Sequence, residues 1–226
     1  MILQGADMIK AITAALLLSL SMTAFAQPSP EEIAEWRAAA GQGEAWAQSN
    51  LGQMYDRGDG VPQDSAVAMK WWTKAAEQGY AKAQYNLALM YADGEGVPKD
   101  NATAVKWYTK AAEQGYADAQ ANLGLMYDNG LGVPQGDATA VKWYTKAAEQ
   151  GVASAQSNLA LLYAKGEGVP QGNVMAYMWW NLAAAQGDEN AKENKGKLQD
   201  SMTSAQIEEA QTLSRECLAK DYKNCG

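Results

Sequence analysis

The chain has 226 residues, 47% of them hydrophobic, with a formal net charge of −8 and no histidine. That length suits one good-sized domain or an elongated array, and the acidity argues against a nucleic-acid partner, because phosphate backbones repel it. The missing histidine removes the commonest general base and transition-metal ligand, while one Phe against eight Trp and eleven Tyr suggests a few positions reused many times.

At the start, "MIKAITAALLLSLSMTAFAQ" sets Lys10 before an apolar run that begins at Ala11, and it ends in Ala24-Phe25-Ala26. This is the order of a signal peptide with an A-x-A cleavage site. Residues 1–26 are therefore expected to be removed after Ala26, with Met8 as an alternative start. The run is short of the roughly 20 residues that span a bilayer. The expectation is an exported protein, periplasmic or secreted, with no transmembrane segment in the mature chain.

From residue 43 the chain repeats itself. Trp71, Trp107, Trp143 and Trp179 are spaced by 36 residues, and so are Gly43, Gly79, Gly115, Gly151 and Gly187. The stretch "ATAVKWYTKAAEQG" occurs at 102–115 and again at 138–151, and "GDGVPQ" at Gly58 returns as "GEGVPK", "GLGVPQ" and "GEGVPQ". A period of this size marks a solenoid of small supersecondary units: 43–78, 79–114, 115–150 and 151–186, after an N-terminal half repeat over 27–42.

Each unit reads as two helices. Ala47, Leu51, Met54 and Tyr55 share one helical face. The Gly58–Gly60 loop ends that helix, and Val61-Pro62 forces an extended approach to the next. On the second helix, Ala68, Trp71, Ala75 and Ala76 form the apolar face, with the alanines allowing close approach and the tryptophan column filling the remaining volume. Ser65, Asn101, Asp137 and Asn173 are aligned at its start and all are favoured N-caps. Beyond Gly187 the register holds through Ala191 and Asn194, then stops. A last amphipathic helix is expected from Thr203 or Ser204 within a capping region, 187–226. Cys217 and Cys225 are the only cysteines. In an oxidising compartment they read as one disulfide that contributes about 2–3 kcal/mol.

The unit "AQYNLALMYADGEGVPKDNATAVKWYTKAAEQG" resembles the Sel-1-like repeat, a relative of the tetratricopeptide repeat, over about 43–195. The resemblance implies an all-α, right-handed α/α superhelix that binds proteins or peptides on a concave face lined by the first helix of each unit. The family is not defined by catalysis; this chain is read as a non-enzyme with no cofactor or metal, and a monomer is expected. Carried onto this chain, the concave face holds Trp46, Ser49, Gln53, Asp56 and Arg57 in the first unit, and Lys82, Tyr85, Leu89 and Asp93 in the second. It continues with Asp118, Leu125, Asp128 and Asn129, then Ser154, Ser157, Leu161 and Lys165. Most of these columns vary between units while the core columns repeat, as a ligand surface requires.

Two polar columns are fixed. Asn50, Asn86, Asn122 and Asn158 are either groove amides for a peptide backbone or carboxylate, or inter-helix hydrogen bonds needed in every unit; the neighbouring column carries no lysine to complete a carboxylate clamp. Gln48, Gln84, Gln120 and Gln156 read as structural. The leading function is an exported protein–protein interaction scaffold. The alternatives are a β-lactam-binding or hydrolysing enzyme, as linked to cysteine-rich relatives whose units each carry a disulfide, and a polysaccharide-binding envelope protein using Trp46 and Tyr85. No serine–lysine motif, nucleophile elbow or metal-ligand cluster is present in the sequence.

Overall fold

Within residues 28–225, which the computed structural model describes, the 3.6-residue apolar period is realised as eleven α-helices with no strand. The expected signal peptide lies outside these residues. A leading helix, α1 (Pro30–Gly41), precedes four pairs: α2 (Ala45–Arg57) with α3 (Ser65–Glu77), α4 (Ala81–Asp93) with α5 (Asn101–Glu113), α6 (Ala117–Asp128) with α7 (Asp137–Ala148), and α8 (Ala153–Lys165) with α9 (Asn173–Ala185). Then come α10 (Glu189–Gln199) and α11 (Ser204–Ala219). Each helix packs on its neighbours in the chain from α1 to α10, and α11 folds back onto α9. The result is an α/α solenoid.

The starts of the second helices differ from the sequence expectation by one residue. Ser65, Asn101, Asp137 and Asn173 are the first helical residues, and the caps are Asp64, Asp100, Gly136 and Gly172. Asp64 accepts from the Val67 N–H at 2.9 Å. The Thr103 hydroxyl at 2.7 Å and the Thr103 N–H at 3.0 Å hold the Asp100 carboxyl below its ordinary value. That cap contributes fully above the unfolded value near 4 and is lost as the pH falls through the lower folded value. Asp64→Ala should cost about 1 kcal/mol in a urea melt followed by circular dichroism. Ser65→Ala should leave the midpoint unchanged; an equal loss there would put the cap back at Ser65.

The core is divided along the axis into four clusters, roughly one per repeat. Its buried aromatic column is Trp72, Tyr108, Tyr144 and Trp180, one residue beyond the tryptophan column singled out in the sequence. That other column leans back on the preceding repeat. Trp71 and Trp107 are only half-buried, with Lys74 and Lys110 stacked over them at 4.6 and 4.2 Å, whereas Trp143 and Trp179 are buried.

The glutamine column is structural and forms a ladder of four equal rungs. Gln48, Gln84, Gln120 and Gln156 donate from Nε2 to the carbonyls of Ala40, Ala76, Ala112 and Ala148 at 3.0–3.4 Å. Their Oε1 atoms accept from Gln78, Gln114, Gln150 and Gln186 at 2.7–2.9 Å. Each buried amide thus ties three consecutive helices, and its donor and acceptor are both used where leaving either unpaired would cost about 1–3 kcal/mol.

At the C-terminus a capping box closes the start of α11. Thr203 Oγ1 accepts from the Gln206 N–H, and Gln206 Oε1 accepts from the Thr203 N–H. Ala210, Ser214 and Cys217 form its buried stripe, and the Ser214 hydroxyl lies 3.4 Å from the Met178 carbonyl. Cys217 and Cys225 are disulfide-bonded. This returns the tail so that Tyr222 packs into the last core cluster and borders Gly151.

Candidate functional site

The first helices carry their core residues on one side, at Ala47, Leu51 and Met54 of α2 and Ala83, Leu87 and Met90 of α4. The side chains a few residues away therefore face outward, between one repeat and the next. Here the chain forms a concavity of about 410 Å³ between α2 and α4, bordered also by Tyr116 just before α6. It brings together Gln53, Asp56, Arg57, Lys82, Tyr85, Leu89 and Asp93 of the expected face, with Asn86 of the amide column. The Lys82 ammonium donates to Gln53 Oε1 at 2.8 Å, bridging the two helices across the floor. Tyr85 is tilted against Tyr116, at 36° and 5.0 Å between ring centres, and against Tyr108, at 51° and 5.9 Å.

Electrostatically the groove leans acidic. Burial, then the nearby Glu95 carboxylate, pushes the Asp56 carboxyl up. The Tyr85 and Tyr116 hydroxyls are also pushed up, by burial first and then by Asp118. Tyr108, deeper in the wall, is raised further by burial. Among the described residues no group of three or more acidic, cysteine or histidine side chains is arranged to hold a metal.

The other expected residues fall differently. Ser49 is fully buried, its carbonyl accepting the Trp72 indole N–H at 3.1 Å, so it does not belong to any exposed face. Its place in the column is open only where the unit carries Tyr85 or the half-buried Ser157; Ala121 is buried too. Trp46, Leu125 and Leu161 are exposed large apolar groups outside the concavity, and Asp118 and Ser154 are exposed as well. Asp128 is half-buried and lies 3.4 Å from the Tyr144 hydroxyl.

The asparagine column divides. Asn122 donates to the Tyr108 hydroxyl at 3.2 Å, and Asn158 stands near the Tyr144 hydroxyl at the same spacing. At the same fourteen-residue spacing Asn86 meets Trp72, which offers no hydroxyl. Asn86, by contrast, lines the concavity. Glu95 and Tyr116 were missed by sequence reasoning. Their columns, Asp59/Glu95/Leu131/Glu167 and Tyr80/Tyr116/Val152/Asp188, vary between units as strongly as the first-helix columns do. They sit between helices, outside the helical faces that periodicity marks.

Comparison with known proteins matches the Sel1 repeat model four times, at residues 47–80, 81–116, 117–152 and 153–188. No curated protein matches. Among solved structures, a Sel1 repeat protein from Oxalobacter formigenes is 35% identical with a TM-score of 0.71, covering 83% of this chain and 74% of its own. A protective antigen present in uropathogenic Escherichia coli strains, displaying an SLR fold, is 31% identical with a TM-score of 0.57. That match covers 88% of this chain, which spans half the antigen's length. With four consecutive repeats matched and the same fold in a relative of this identity, the chain belongs to the Sel1 repeat family.

Proposed function

We propose that this protein is an exported interaction scaffold that holds a protein or peptide against the exposed sides of its first helices. Proteins built from this repeat are generally protein-interaction scaffolds. The observation that carries the reading is the concavity between α2 and α4, where side chains that differ from unit to unit stand on a frame that does not. The glutamine ladder fixes that frame in every repeat, so little ordering is left to be done when a partner docks. The groove offers an apolar patch at Leu89, an aromatic edge at Tyr85 and an amide at Asn86, a combination suited to an extended peptide. Export is supported by the apolar stretch that ends in Ala24-Phe25-Ala26 and by the disulfide, a bond that persists in oxidising compartments. No helix among the described residues is long and apolar enough to cross a membrane.

Tyr85→Asp and Leu125→Asp should each keep the helical circular dichroism spectrum yet weaken partner capture from a periplasmic extract at least about tenfold, or ~1.4 kcal/mol. If capture persists in both variants, the partner binds elsewhere on the solenoid.

A further inference from the structure

Several of this protein's aromatic rings, half-buried or buried, have one of its own lysines over them. Lys74 lies over Trp71 at 4.6 Å, Lys110 over Trp107 at 4.2 Å, Lys146 over Trp143 at 4.8 Å and Lys195 over Tyr177 at 5.7 Å. The Tyr85–Tyr116 pair differs. Its rings stand 5.0 Å apart at 36° on the edge of the concavity, and among the described residues no lysine or arginine lies over either one. Lys82, one turn before Tyr85, is turned to Gln53 instead.

Carboxylates flank this pair. Asp118 bears on both tyrosines and Asp93 on Tyr85, while Asp56 and Glu95 face each other on the same groove. None of these four is in an ion pair among the described residues. Arg57 acts on Asp56 and Lys82 is held by Gln53 in the same groove, which leaves Asp93 and Asp118 beside the tyrosine pair. A π-face next to such carboxylates is complementary to a cation, and a guanidinium or ammonium can satisfy the ring and a carboxylate together.

We propose that the Tyr85–Tyr116 edge of the groove receives an arginine or lysine side chain from a basic segment of the protein partner, with the cation over the tyrosine faces and its N–H groups toward Asp93 and Asp118. This rests on the groove reading above and adds the chemistry of the partner to it.

The test is a titration of the protein with a fluorescein-labelled tetra-arginine peptide, read by anisotropy, with tetraglutamate and tetraserine peptides alongside. Tetra-arginine should bind and the other two should not. Tyr85→Ala should weaken binding about tenfold, and Tyr85→Phe, which keeps the π-face, should not. Asp118→Asn, at an exposed residue that carries no packing, should weaken it about threefold. Glu209→Gln makes the same charge change on the exposed side of α11 and should leave binding intact. Equal weakening by Glu209→Gln and Asp118→Asn would mean general attraction to an acidic protein and overturn the proposal. So would wild-type affinity in Tyr85→Ala, or preferential binding of tetraglutamate. Should any of these occur while Tyr85→Asp and Leu125→Asp still lose partner capture, the reading that the partner docks on the first helices stands and only its cation falls. Should capture persist in those variants as well, both fall.

Discussion

Trp179→Ala is expected to cost about 3–5 kcal/mol of stability and to open the cluster that α9 shares with α11. Trp179 is 0% exposed and among the largest fully buried side chains of the protein. Its burial has an identifiable cause. In the first three repeats the outer columns of the second helix are lysines, Lys70/Lys106/Lys142 and Lys74/Lys110/Lys146. In the fourth they become Met178 and Leu182, which are 0% and 1% exposed. The side of α9 that would face water is instead covered by α11, and Trp179 is sealed with it. Trp107→Ala removes the same atoms from a half-buried site that Lys110 shields, so it should cost about half as much. Trp179→Phe should cost about 1–2 kcal/mol, since the buried indole N–H has no partner among the described residues and its loss forfeits no hydrogen bond there. Urea unfolding of the three variants gives the order, and amide exchange along α11 shows whether the cap loosens. A greater loss from Trp107→Ala than from Trp179→Ala would remove the covering role assigned to α11.

These same columns show how far the sequence could be read. The 36-residue period was legible because every inner repeat meets the same neighbours, so the core positions are under one constraint four times over. Which of two adjacent residues faced inward was not. Position 71 follows Ala68 by three residues and position 72 by four, and both spacings lie on one helical face. With aromatics at both positions in every repeat, the choice of Trp71 over Trp72 was open to error. The caps failed for the same reason, because Asp64-Ser65 and Asp100-Asn101 pair two good cap residues. The switch from lysine to Met178 and Leu182 was readable and marked a covered face. The groove is harder. Variable columns name the candidates, but whether Ser49 is sealed beneath Trp72, or Tyr116 swings in from the next repeat, depends on how neighbouring units stack.

Gly132→Ala is expected to be nearly as damaging, at about 2–5 kcal/mol, from a left-handed backbone costing about 1–2 kcal/mol and overpacking that costs about 1–3 kcal/mol. Gly132 has φ +72°, and a Cβ built there would stand 2.4 Å from the Asn101 carbonyl carbon and 2.7 Å from the Ala102 nitrogen. Those are backbone atoms at the start of α5, so no side chain can swing aside. Relief requires the third repeat to move off the second. Gly168 repeats the arrangement against Asp137 at 2.5 Å. This gives the fixed "GVP" loop its purpose: it seats each repeat on the second helix of the one before, at the very column taken from sequence as the cap. Gly130 provides the control. It too is left-handed, at φ +64°, but its Cβ would meet nothing closer than 3.4 Å. Gly130→Ala should therefore show the backbone cost alone. Gly60→Ala meets only the Ile33 Cδ1 at 2.9 Å, the far end of a flexible side chain, and should resemble Gly130→Ala. Thermal melts of the three variants separate the two contributions. Equal losses at Gly132 and Gly130 would show that backbone conformation, and not the seating of one repeat on the next, accounts for the glycine.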